Sequence, residues 1–119
     1  MATYLVDKNK VITMVRGDSE VFKFKFTEGK FPFDSPLKVN DGDVIFFGLM
    51  DPHQHFEYAL LKKEYSNKDF DEEGNFILTL NPDDTIELAE GTYFYSIKLL
   101  RTNAEIKTLV QKTRFHLVS

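Results

Sequence analysis

Residues 84–95 read Asp84-Thr85-Ile86-Glu87-Leu88-Ala89-Glu90-Gly91-Thr92-Tyr93-Phe94-Tyr95. An apolar residue, a glycine and then a tyrosine opening an alternating run form the pattern of a tyrosine corner. In that motif the ring is buried between two sheets and its hydroxyl bonds to backbone a few residues upstream. Tyrosine is required because phenylalanine would leave the buried acceptor unpaired. Gly91 and Tyr93 are therefore expected as a structural corner. Downstream, Tyr93, Tyr95, Ile97 and Leu99 fall on one side of a strand spanning 92–100. Upstream, Asn81 precedes Pro82 and the acidic pair Asp83-Asp84, which predicts one short helical turn near residues 82–88.

Other strands follow from the same period-2 logic. Val21-Phe22-Lys23-Phe24-Lys25-Phe26 sends phenylalanines one way and lysines the other, a strand with one face on a core and one in water. Val11 to Arg16 is strand-like and stops at Gly17-Asp18. Asp43 to Met50 is apolar on both faces, as in a central strand, and its Gly48 marks a bulge or a close approach by another segment. Phe56 to Tyr65 reads as a returning strand, and Phe76, Leu78 and Leu80 alternate in another. Residues 27–42 form a long loop with room for a short edge strand. In the last strand region, 105–118, Ile106, Thr108 and Val110 give way to Phe115 and Leu117, which predicts a bulge near Gln111-Lys112.

About seven strands joined by short polar connections indicate a sandwich or barrel. With the corner, the pattern favours an all-β, immunoglobulin-like β-sandwich of antiparallel strands. The expected organisation is one domain over 11–119, preceded at 1–10 by an N-terminal arm or short edge strand. The length of 119 residues suits a single core. Twelve Phe and five Tyr with no Trp reinforce the β reading.

Composition narrows function. The chain has no cysteine, which fits folding in a reducing compartment. Its first ten residues lack the basic and apolar regions of a secretory signal. The longest apolar run, Val44 to Met50, is strand-sized. Fifteen basic against nineteen acidic residues leave a net charge of −4, which argues against phosphate-backbone binding. No partner of nucleic acid or membrane type is expected.

Three short motifs invite chemistry. His53, His55 and Glu57 share one face if extended, as a metal site requires, but Asp51-Pro52 makes the segment a solvated hairpin tip. Asp69 to Asn75 opens like a calcium loop, yet Leu80 stands where the bidentate glutamate belongs. Arg16-Gly17-Asp18 matches a cell-adhesion tripeptide and is explained by a turn. There is no Gly-x-Ser-x-Gly elbow and no glycine-rich loop before a helix. No catalytic, cofactor-binding or metal-binding residues are assigned, no cofactor is expected, and the chain reads as no enzyme. Candidate interface residues are Phe31 and Phe33, which flank Pro32 in a loop, and Phe94, which points away from the Tyr93 side.

Thr13-Met14-Val15-Arg16-Gly17-Asp18-Ser19 with Phe22-Lys23-Phe24, Leu80-Asn81-Pro82-Asp83-Asp84-Thr85 with Leu88, Gly91-Thr92-Tyr93, Tyr95-Ser96-Ile97 and Lys107-Thr108-Leu109 before Phe115 carry a resemblance. Together they resemble the small immunoglobulin-like structural domains of tailed bacteriophages. The N-terminal domain of phage baseplate upper proteins is the nearest example, and capsid-decoration and head-fibre domains are similar in style. The likeness runs from about residue 11 to 118 and rests on spaced turn and strand residues, which report fold more than role. It implies a non-enzymatic virion accessory protein (capsid decoration, head-fibre or baseplate-associated), assembled in the host cytoplasm. Its partners would be other virion proteins, with multimeric display on the particle. Family domains are usually joined to a receptor-binding or connector segment, so an end at Ser119 leads to the expectation of a standalone component. The alternative is a carbohydrate- or ligand-binding module on the same scaffold, against which the lack of Trp counts.

Overall fold

The computed structural model describes residues 3–6, as backbone alone, together with 11–29 and 35–119. Among these, the chain is mostly β, with ten strands: β1 (Thr3–Val6), β2 (Ile12–Val15), β3 (Glu20–Phe24), β4 (Thr27–Glu28), β5 (Ser35–Pro36), β6 (Val44–Met50), β7 (Leu61–Tyr65), β8 (Phe76–Leu80), β9 (Gly91–Leu100) and β10 (Ile106–Val118). One helical turn, α1 (Pro82–Thr85), falls within the expected span. The Asp84 carboxylate closes it by accepting from the backbone N–H of Asn81 at 2.7 Å.

The strands form a five-stranded sheet in the order β2-β10-β9-β6-β7, a three-stranded sheet β1-β3-β8, and the small pair β4-β5. Two pairings are parallel. β2 runs alongside β10, with Ile12 opposite Phe115, and β1 alongside β3. The other pairings are antiparallel. The expected loop at 27–42 contains the β4-β5 pair, and the N-terminal segment contributes β1 to the sheet.

Alternation decides which side chains enter the core. Phe22 and Phe24 from β3 and Phe76, Leu78 and Leu80 from β8 meet Ile45, Phe47 and Leu49 from β6 and Tyr93, Tyr95, Ile97 and Leu99 from β9 in one apolar cluster. A ring contact joins the two sheets, with the Phe24 and Tyr95 centroids 6.4 Å apart, and within the larger sheet those of Tyr95 and Phe115 are 6.2 Å apart. Burial pushes the Tyr95 phenol up in pKa. Tyr93 is buried, and its hydroxyl donates to the Ala89 carbonyl at 2.5 Å.

β10 departs from the expected register. The ladder against β9 shifts between Thr108 and Val110 and again between Val110 and Thr113. Consecutive residues Leu109 and Val110 are both buried as a result, and Ile106, expected on the Val110 side, is 66% exposed. The buried Ser96 hydroxyl stitches the irregular stretch by donating to the Val110 carbonyl at 2.7 Å.

Two polar networks tie peripheral segments to the sheets. Asp43, 2% exposed, accepts from the backbone N–H groups of Asn40 and Thr102 at 2.9 and 3.0 Å and from Arg101 Nη1 at 3.1 Å. Arg101 also donates to the Lys38 carbonyl and pairs with Glu28. On the far side, β7 reaches across to the smaller sheet. Lys63 Nζ donates to the Thr79 carbonyl at 3.0 Å and to Asp84 at 2.6 Å, and the Tyr65 hydroxyl donates to the same Thr79 carbonyl at 2.8 Å.

Candidate functional site

The residues pointing away from the core on the five-stranded sheet make an unusual face. In register across it lie Val44, Leu100 and Ile106 in one row, and Glu64, Phe46, Lys98 and Thr108 in the next. Lys62, Gly48 and Ser96 form a third, and Met50, Phe94 and Arg114 a fourth. Strands β6 and β9 supply apolar residues on both faces here, which is why 43–50 reads as a central strand.

Residues 51–60, which join β6 to β7, fold back onto this face instead of standing clear of it. The expected strand over 56–65 begins only at Leu61. Phe56–Tyr58 form a 3₁₀ turn, with the Tyr58 N–H bonded to the His55 carbonyl. The cause is long-range packing. A Cβ at position 48 would stand 2.6 Å from the Phe56 ring, so glycine is what lets the ring lie on the strand. Gly48 therefore marks a close approach. Lys112, on the irregular part of β10, holds the same connection by donating to the carbonyls of Pro52 and Gln54, both at 2.9 Å.

Two ammonium groups sit over the Phe56 ring: Lys62 Nζ at 5.2 Å from its centroid and Lys98 Nζ at 5.0 Å. Beside them a depression of about 220 Å³ opens, lined by Phe46, Phe56, Lys62, Lys98, Leu100 and Ile106. Tyr58 and Leu60, at the end of the connection, are exposed. The face offers an apolar floor with a cationic rim, an arrangement suited to holding a partner.

Of the expected interface residues, Phe94 lies on this face, half-buried, with Lys112 Nζ 5.7 Å from its ring centroid. Phe31 and Phe33 lie outside the described residues. The other members of the face were not singled out from sequence. Lys62 and Lys98 are unremarkable lysines in strands, and the early register shift that turns Ile106 outward leaves no local sign. Gly48 was the one available signal, since a glycine inside an apolar strand asks what covers it.

The three short motifs have local structural uses. Arg16-Gly17-Asp18 is a turn packed on α1, with the Gly17 N–H donating to Thr85 Oγ1 at 2.9 Å and Gly17 at φ +82°. In 69–75, Asp71 accepts from the N–H groups of Asn75 and Glu73 and pairs with Lys23 at 3.4 Å. The Asn75 bond comes first in holding the Asp71 carboxyl below its usual pKa. Asp69 accepts from the Ser66 N–H at 2.8 Å. His53 and His55 sit exposed in the 51–60 connection. Among the described residues no group of three or more His, Cys, Asp or Glu is placed to hold a metal ion. None of their helices is long and apolar enough to cross a membrane.

Compared with protein-family models, curated proteins and solved structures, the chain matches none.

Proposed function

We propose that this protein is a non-enzymatic structural accessory component of a tailed-phage virion, built on an immunoglobulin-like β-sandwich. It docks onto a larger viral assembly through the outer face of the five-stranded sheet. The observation that carries the docking is that face itself. An apolar depression with Ile106 two-thirds exposed lies open on it, rimmed by Lys62 and Lys98 and bordered by Phe56 of the folded-back connection. Exposed apolar surface rimmed by polar groups is the kind of surface that serves as an interaction site.

The sandwich reading draws support from the strand order β2-β10-β9-β6-β7 with β2 parallel to β10, the β3-β8 pair across the core, and the Tyr93–Ala89 bond on β9. The phage assignment draws on the spaced residues from Thr13 to Phe115 described above. Many symmetric copies on a particle let a modest contact per copy hold by avidity. The docking partner is a capsid, head-fibre or baseplate protein. The test is to purify particles of the virus encoding the chain and measure its copy number in them, for the wild type and for Ile106→Asp. Stoichiometric incorporation that the substitution abolishes is expected. Absence from particles, or substrate turnover by the isolated protein, overturns the assignment.

A further inference from the structure

The chain carries a net charge of −4. The four ion pairs among the described residues use Lys23, Lys63 and Arg101, none of which lines the depression. Lys62 and Lys98, which do line it, take part in no ion pair there. Both sit over the Phe56 ring. The ring leaves the ammonium N–H donors of both lysines available, so a carboxylate between them is an additional partner. Immediately beside them, Phe46, Leu100 and Ile106 present aliphatic and aromatic surface with room for one apolar side chain.

We propose that the depression takes an extended acidic segment of the partner protein. One apolar side chain seats on Phe46, Leu100 and Ile106, and a neighbouring carboxylate bridges Lys62 and Lys98. This rests on the reading of the face as a docking surface and adds the chemistry of what docks. Two other occupants fit less well. A second copy packed face to face sets Lys62 and Lys98 against their own counterparts, a like-charge arrangement that costs affinity. A nucleic-acid strand draws on a run of cations along its backbone and on free aromatic faces for stacking. Here the Phe56 ring is already engaged by both lysines, and the floor of the depression includes Leu100 and Ile106.

The test is an NMR titration of the ¹⁵N-labelled full chain with a short end-capped peptide alternating leucine with glutamate. The same peptide with lysine for glutamate and a single-stranded oligothymidine serve as comparison probes. Saturable shifts at Phe46, Lys62, Lys98, Leu100 and Ile106 are expected with the glutamate peptide alone, weakening as salt is raised. Lys62→Glu with Lys98→Glu weakens binding on the order of tenfold or more, since attraction is replaced by repulsion. Ile106→Asp weakens it as well. The amide spectrum of each variant reports folding, and Lys62→Gln with Lys98→Gln substitutes if the reversed pair does not fold.

Absence of a saturable shift, indifference to charge reversal, or equal binding of the lysine peptide overturns the proposal. Stronger binding of the oligothymidine at the same residues overturns it in favour of nucleic acid. Failure here remains distinguishable from failure of the virion assignment. Incorporation into particles with no peptide binding removes only the acidic segment, and peptide binding by a chain absent from particles removes only the virion.

Discussion

Replacing Asp43 with alanine removes the centre of the network that pins residues 38–43 to the turn after β9. The side chain is 2% exposed and accepts three hydrogen bonds, two from backbone N–H groups and one from Arg101. Its loss leaves Arg101, whose side chain is 17% exposed, with the Lys38 carbonyl and a 3.4 Å contact to Glu28. Breaking a buried charge pair by removing one partner costs about 3–5 kcal/mol. The two backbone donors belong to exposed residues that regain water, which places the expected loss toward the lower end. For a chain of this size that lowers the melting temperature by about 10–15 °C.

The pH dependence has a definite sign. The Asp43 carboxyl is held below its ordinary value of 3.8, first by the Asn40 N–H and then, against the cost of burial, by the Thr102 N–H and Arg101. Its contribution is therefore complete above 3.8 and is lost as pH falls through the lower, folded-state value. Urea unfolding of wild type, Asp43→Ala and Asp43→Asn at several pH values measures this. The gap between wild type and Asp43→Asn should hold steady from neutral pH to about pH 5 and narrow below 3.8. A loss under about 1 kcal/mol for Asp43→Ala, or a gap that widens in acid, would refute the reasoning.

Tyr93→Phe removes the hydroxyl that serves the Ala89 carbonyl and should cost on the order of 1 kcal/mol in the same assay; no loss means the corner bond contributes nothing. Gly48→Ala should keep the fold but displace the Phe56 ring, seen as faster amide exchange over residues 56–60 and altered Lys62 and Lys98 side-chain shifts; unchanged spectra would mean the ring was not seated on the strand. Thermal unfolding should be the same with chelator as with added zinc or calcium, because a native-state ligand at a hundredfold excess over its Kd would add about 2.7 kcal/mol and be obvious.

Much of the core was readable because strand period alone sorts side chains. Phe22, Phe24 and Phe26 are buried as the Phe-Lys alternation requires, and Tyr93, Tyr95, Ile97 and Leu99 likewise. Partners were not readable. Alternation says which way a residue points but not which strand lies beside it, so the parallel pairings of β1 with β3 and β2 with β10 carried no signal. β10 shows the limit most clearly. A bulge was evident from the change of phase before Phe115, but its first shift, between Thr108 and Val110, depends on the ladder with β9 and moved Ile106 to the outer face. The candidate site was the least legible part. It is assembled from Phe46, Phe56, Lys62, Lys98, Leu100 and Ile106, which come from separate segments, and the sheet's register and the folding back of residues 51–60 bring them together.

The side chains that β7 extends to β8 have a consequence for how the molecule meets its neighbours. Among the described residues, β8 pairs with β3 and otherwise meets only the single bridge between Phe76 and Phe70, so the rest of its outer backbone offers a template for a strand from another molecule. The Thr79 carbonyl, one residue from the end of that strand, already accepts from both Lys63 and Tyr65. An incoming strand has to strip a charged donor and a phenol from it, and to do so beside Asp84, where Lys63 is anchored. Packed side by side at high local concentration, copies of this domain are thereby discouraged from zipping together through β8.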